Sequence, residues 1–137
     1  MVEKRKRGEA MKTVEVAAGV LTDGARILAT QRGYGEWKDY WEFPGGKLEP
    51  GETPELALRR ELREELRIEI DILQDLGTVE YDYPAFHLRM SCFLARIREG
   101  TPVLEEHEAA RWLLPWEVDS LQWLPADRLV LPRIIGR

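Results

Sequence analysis

The segment GGKLEPGETPELALRRELREEL, residues 45 to 66, limits the possible folds more than any other part of the chain. Thr53 can cap a helix with its side-chain oxygen, and Pro54 suits the first helical position, where a missing N–H is not needed. Leu58, Leu62 and Leu66 then recur every four residues. At about 100° per residue they share one apolar stripe and predict a helix running to about Leu66. Arg59, Arg63 and Arg67 fall on the opposite, solvent-facing side. The other long apolar runs have a period of two, so this helix has to pack on strands.

TVEVAAGVL (13–21) and ARILATQR (25–32) are partly β-branched runs joined by TDGA, whose Asp23-Gly24 pair is a hairpin signal; they predict two antiparallel strands. GYGEWKDY (33–40) has no period and reads as a loop. WEF (41–43) reads as a short strand stopped by Pro44, with a glycine-rich turn after it at Gly45, Gly46, Pro50 and Gly51. RIEIDI (67–72) alternates, and residues 86–97 alternate again, with Phe86, Leu88, Met90, Cys92 and Leu94 on one face. ARWLLP (110–115) is another short strand. PWEVDSL and PADRLVLPRI each begin with proline and predict short helices. Such a pattern belongs to an α+β fold.

At 137 residues, 44% hydrophobic and with five Trp, the chain suits one domain, taken as 12–137 behind a basic tail over 1–11 that reads as a frayed end. A net charge of −5 argues against binding polymeric nucleic acid, because neutralising a phosphate backbone needs a basic face. A small anionic substrate held through cations is compatible with that charge. The single Cys92 cannot form an intrachain disulfide, and no apolar run approaches the roughly 20 residues of a membrane helix; a cytoplasmic protein with no membrane partner is expected.

Glu61, Glu64 and Glu65 sit together between the leucine stripe and the arginines, with Ala57 one turn earlier leaving that sector uncrowded. Like charges at i,i+3 and i,i+4 repel by a few tenths of a kcal/mol per pair. A solvated acidic face would explain three glutamates anywhere. Here the arginines are segregated from the acids, and a glycine turn brings backbone close to the helix start. Hard divalent cations such as Mg²⁺ take oxygen ligands, commonly one or two carboxylates plus substrate phosphates, so the cluster suggests phosphate chemistry.

Gly46, five residues, Glu52, seven residues, then Arg60, Glu61, Leu62, one residue, Glu64, Glu65 resembles the motif of the Nudix hydrolases, which cleave nucleoside diphosphates linked to another group. WEFPGGKLEPGE, EYDYPAFH, LEEHEAARW and WLPADR extend the resemblance to the MutT branch over roughly residues 12 to 133. That branch hydrolyses nucleoside triphosphates to monophosphate and pyrophosphate. The motif normally closes with glycine and an aliphatic residue, where this chain has Arg67 and Ile68. Arg67 therefore either adopts a left-handed helix exit at a cost of about 1 kcal/mol, or the helix ends differently.

The resemblance implies an α/β/α sandwich around a mixed β-sheet, monomeric or homodimeric, acting on a small nucleoside triphosphate. It implies Mg²⁺, or Mn²⁺ in its place, held by Glu61, Glu64, Glu65, Glu106 and the backbone of Gly45. It also implies substrate contacts from Arg32, Phe43, Gly45, Gly46, Phe86 and Asp127. Glu52 would tie the loop to the helix through Arg60, and the general base is either Glu61 or Glu106. Attack at the β-phosphorus is what the branch implies. His87 lies opposite the Phe86 face and reads as structural.

Base choice turns on Asp127, which stands where an oxidised-purine member of the branch uses asparagine. An ionised aspartate only accepts hydrogen bonds, so it favours cytosine, guanine or 8-oxoguanine, which offer N–H donors, over uracil and thymine. Asp127 capping a short helix is the plainer alternative, and Phe86, where the branch can place arginine, packs near a base or only in the core. Three functions follow: a pyrophosphohydrolase for oxidised nucleotides such as 8-oxo-dGTP, one for CTP, dCTP or 5-methyl-dCTP, or a non-catalytic nucleotide-sensing module. All three box glutamates are in place, which weighs against the last.

Overall fold

A computed structural model describes residues 11–104 and 107–135, so nearly all of the basic tail, and Glu106 with it, lies outside the described residues. The elements in order are β1 (Thr13–Leu21), β2 (Ile27–Arg32), β3 (Trp41–Glu42), β4 (Gly45–Lys47), α1 (Pro54–Leu66), β5 (Glu69–Asp82), β6 (His87–Glu99) and β7 (His107–Leu113). A 3₁₀ turn (Pro115–Ser120), α2 (Pro125–Arg128) and α3 (Leu131–Ile135) complete the chain. A four-stranded sheet has the order β4-β1-β6-β5 and is mixed, because β1 and β6 run parallel while the other neighbours are antiparallel. A three-stranded antiparallel sheet has the order β3-β2-β7.

β1 explains the layering. Its second half is buried on both faces, with Ala17 and Leu21 turned to one core and Ala18 and Val20 to the other. The first core contains Leu58, Leu62 and Leu66, the predicted stripe of α1, each with no exposed surface. The second contains Val118, Trp123, Ala126 and Val130 from the C-terminal part of the chain that carries the short helices. The result is the expected helix–sheet–helix sandwich. At Gly19 the helix lies so close that a Cβ would stand 3.3 Å from a Leu58 methyl. On β6, Leu88, Met90 and Cys92 serve the second core as expected, and from Phe93 onward the opposite face is buried as well.

α1 begins and ends where the sequence places it. The Thr53 hydroxyl accepts the Leu56 N–H at 3.2 Å. Arg67 takes the left-handed conformation, φ 59° and ψ 41°, and its N–H reaches the Arg63 carbonyl at 3.1 Å. The exit normally given to glycine is thus made by arginine.

Four local expectations need correction. β1 and β2 do not form a hairpin ladder; they join through one bridge, Thr22 to Ile27, and diverge into different sheets. Asp23 accepts from both Ala25 and Arg26 N–H, a bend tight enough to turn the chain, while β1 spends its edges on β4 and β6. Gly45 and Gly46 are not a turn but strand β4, registered against Ala18 and Ala17; the turn proper follows at residues 49–52, closed by Glu52 N–H to Glu49 carbonyl at 3.0 Å. Ala57 does not merely leave space; it is fully buried beneath the acidic sector. β5 continues to Asp82 because three bulges reset its alternation and hide the later residues from a period-two reading.

Candidate active site

β4 lies beside the start of α1, and this contact builds the acidic end of the site. A Cβ on Gly45 would overlap the Ala17 carbonyl, and one on Gly46 would strike the Glu61 carboxylate. Glycine at 45 therefore lets β4 press onto β1, and glycine at 46 makes room for Glu61 over the strand. Glu61 and Glu65 open into the same cleft as Gly45, Gly46 and Lys47.

Arg60 organises the acids. Its Nε and Nη2 donate to the two oxygens of Glu52 at 2.7 and 2.9 Å, and Nη2 also reaches the Lys47 carbonyl at 3.0 Å. Its Nη1 donates to Glu61 at 3.0 Å and to Glu64 at 2.9 Å. The expected Glu52–Arg60 tie is present. The Arg60 fork, followed by the Glu49 N–H, holds the Glu52 carboxyl down at about 2. Glu61 is 15% exposed and Glu64 54%; Glu64 does not line the cleft and is bound to Arg60.

The donors here are carboxylate and backbone oxygens, the set a hard divalent cation takes. Among the described residues no three such side chains are drawn close enough to enclose an ion as they stand. Arg60 Nη1 provides the positive charge between Glu61 and Glu64, and a cation would take over that role. In kind the donor atoms fit it. Glu106 is outside the described residues.

The same cleft, about 620 Å³, continues away from the glutamates to Arg32, Phe43, Phe86 and Asp127, so the structure brings both groups of expected site residues to one cavity. Arg32 is not free for a ligand as it stands: it forms a two-pronged pair with Glu42, at 2.7 and 3.2 Å. Burial, the largest single influence, opposes its charge, but the Glu42 hydrogen bonds and the Glu42 charge together raise its pKa. Phe43 packs against Trp123 at 4.8 Å between ring centroids.

The structure sets aside one reading of Asp127, that of a helix cap. It is the third residue of α2, whose N-cap is Leu124 with no side-chain cap, so it does not cap the helix. Its Oδ2 instead crosses the fold to accept the Phe43 N–H at 2.8 Å. Only 5% of the residue is exposed. Burial, followed by the charge of Glu42, pushes its pKa up to about 8. Desolvation thus favours the protonated acid, which donates as well as accepts, over the acceptor-only carboxylate.

Glu42, Trp37 and Tyr83 are among the lining residues that escape sequence reasoning. Tyr83 was legible in principle, since it and Phe86 flank the two residues Pro84-Ala85 and residues flanking so short a turn face each other across a hairpin. Their rings stack at 5.2 Å, 26° apart. Trp37 lies in the loop without periodicity, and Glu42 is marked only by the strand register that sets it near Arg32.

The family model described as NUDIX domain matches residues 11–134. The chain belongs to the Nudix family. It is 32% identical to an 8-oxo-dGTP diphosphatase of Haemophilus influenzae, over 91% of this chain and 93% of that one. It is 34% identical to a CTP pyrophosphohydrolase of Escherichia coli, over 85% and 87%. A MutT Nudix hydrolase from Burkholderia pseudomallei superimposes with a TM-score of 0.80 at 27% identity, over 90% of this chain and 98% of that one. The chain is thus a hydrolase acting on phosphoric anhydride bonds, and its α+β sandwich is the Nudix fold. Nudix hydrolases generally need a divalent metal. Among the described residues no helix is long and apolar enough to cross a membrane.

Proposed function

We propose that this Nudix hydrolase is a MutT-type pyrophosphohydrolase that converts a nucleoside triphosphate and water to the monophosphate and pyrophosphate, with 8-oxo-dGTP as preferred substrate. One observation carries the reading: a single cleft joins the glutamate end, suited to cations and phosphates, to an aromatic end floored by Asp127. The triphosphate lies along α1 and β4, and the base enters between the Tyr83–Phe86 wall and Asp127. Glu61, Glu64 and Glu65 hold Mg²⁺, together with the Gly45 backbone and Glu106. A divalent cation held there would supply charge neutralisation for the phosphates and acidification of the attacking water. Arg60 keeps Glu61 aligned over Gly46, and Glu61 or Glu106 removes the proton of the water. Arg32 steadies Glu42 and approaches the phosphates or the base from the cleft wall.

The proton on Asp127 supports an oxidised purine. Guanine presents two acceptors, N7 and O6, along its major-groove edge, whereas oxidation at C8 turns N7 into a donor. A neutral carboxylic acid pairs with adjacent donor and acceptor groups but not with two acceptors. Cytosine, through N4–H and N3, also offers such a pair, and the relative named CTP pyrophosphohydrolase supports it as the second reading.

A pyrophosphate-release screen with Mg²⁺ over 8-oxo-dGTP, dGTP, CTP, dCTP, 5-methyl-dCTP and dTTP tests the reading. The highest kcat/KM is expected for 8-oxo-dGTP. A preference for a cytidine nucleotide would move the assignment to the second reading, and orthophosphate as product would remove both. Binding without turnover of any triphosphate would leave a nucleotide-sensing module.

A further inference from the structure

The wall of the cleft farthest from the glutamates is the turn between β5 and β6. Tyr83 and Phe86 exchange backbone hydrogen bonds at 2.9 and 3.3 Å, and both rings line the cleft. The Tyr83 hydroxyl accepts the Ala126 N–H at 3.2 Å, one residue from Asp127, so the position of this turn sets the width of the cavity over that acid.

The next pair outward is Asp82 and His87. The imidazole of His87 has Nδ1 2.6 Å from an oxygen of Asp82 and Nε2 2.8 Å from an oxygen of Glu80. Carboxylates only accept, so both bonds form together only when both ring nitrogens carry protons. A neutral imidazole satisfies one of them and turns a lone pair toward the other carboxylate. We propose that His87 is a positioning residue, whose imidazolium ties Glu80 and Asp82 of β5 to β6 and thereby holds the Tyr83–Phe86 wall in place for the substrate base. The proposal rests on the base entering between that wall and Asp127.

Among the charged groups around His87, the imidazolium is the one that reaches both Glu80 and Asp82. β5 presents Glu80 and Asp82; β6 presents Arg89, whose Nε is 3.5 Å from Glu80. β1 presents Glu15, 3.9 Å from Arg89, and the Lys12 carbonyl, which accepts the His87 N–H at 2.8 Å. Without its proton His87 leaves Glu80 sharing only Arg89, and leaves Asp82 or Glu80 facing a ring lone pair. The Glu80 bond, followed by the Asp82 bond, raises the His87 pKa above 6.5. A raised folded-state value means that the tie is complete below about 6.5 and is lost as pH rises through the higher value. All three groups are partly solvated, and surface pairs are weak, so the effect is a modest one on KM.

His87→Arg keeps two donors at every pH, while His87→Gln offers one donor and one acceptor. On the full chain without nucleotide, nitrogen-15 NMR would report the His87 ring protons, and amide exchange at Tyr83 and Phe86 would report the wall, from pH 6 to 9.5. The expected results are two protonated ring nitrogens at pH 6 and protection at the turn that falls as His87 loses its proton. In turnover, the ratio of wild-type KM to His87→Arg KM cancels the titration of Asp127 and of the attacking water. It should be near one at pH 6.5 and rise to about threefold above the His87 titration, with kcat ratios flat and His87→Gln raised throughout. A singly protonated ring at pH 6, turn protection or a KM ratio unmoved through the titration, or identical behaviour of the Arg and Gln variants would overturn the proposal. Were no triphosphate turned over, the substrate reading would fail, and the exchange data alone would decide the tie.

Discussion

Gly45 and Gly46 are adjacent in sequence and in strand β4, yet the structure assigns them opposite failures. In Gly46→Ala the new methyl meets the Glu61 carboxylate, the far end of a flexible side chain. That group can swing aside, so the fold changes by less than about 1 kcal/mol, partly offset by the lower chain entropy of alanine in the unfolded state. The displaced carboxylate leaves the bonds that hold it to Arg60 and over the strand, and turnover should fall about 10²-fold, or ~2.7 kcal/mol of barrier. In Gly45→Ala the methyl meets the Ala17 carbonyl, which is backbone and cannot move alone. β4 then has to separate from β1 along its pairs with Val16, Ala17 and Ala18, a loss on the order of 3 kcal/mol or more. For a chain of this size that is on the order of 10 °C in Tm. Thermal unfolding followed by circular dichroism, alongside steady-state pyrophosphate release, separates the two. Equal Tm losses in both variants, or wild-type turnover in Gly46→Ala, would refute the argument that one glycine serves the ladder and the other the carboxylate.

Further outcomes follow from the acids. Glu65→Gln, and likewise Glu64→Gln, keeps shape but removes charge, so turnover should drop at least ~10²-fold with Tm intact; the wild-type rate surviving in excess chelator would contradict a metal role. Asp127→Asn keeps a donor and an acceptor at every pH, so its kcat/KM for 8-oxo-dGTP, divided by the wild-type value, should rise between pH 7 and 9 as the wild-type acid, near 8, loses its proton. A flat ratio would show that the proton on Asp127 is not read. The same acid makes a stability prediction: its folded pKa is raised, so its contribution is complete below about 3.8 and lost as pH rises through about 8. The Tm of Asp127→Asn should therefore exceed wild type increasingly across that interval, measured by a pH series of thermal melts.

Local chemistry is what the sequence could decide by itself. The start and stop of α1, its leucine stripe and the short strand before Pro44 depend on residues within a turn or two of one another, and each stands where periodicity and capping place it. So does the Glu52–Arg60 tie, which spans only eight residues. Where long-range pairing competed with a local signal, it prevailed. The Asp23-Gly24 bend survived, but β1 took β6 as its parallel partner, because a strand buried on both faces gains more at the centre of a sheet than in a two-stranded ribbon.

The charge state of Asp127 shows the same division. The sequence supplies an aspartate after Pro125-Ala126, and in water that is an acceptor and nothing else. Only packing could bury it beneath Leu124 and Phe43, bring Glu42 close through the register of β3 on β2, and so keep a proton on it at neutral pH. The stacked Tyr83–Phe86 wall and the doubly bonded His87 likewise exist only through the pairing of β5 with β6. Residue types and short spacings determined the reaction chemistry, since ligand atoms must be of the right kind. Tertiary contacts decided what the cleft can discriminate, because burial and neighbouring charge set the protonation of its polar groups.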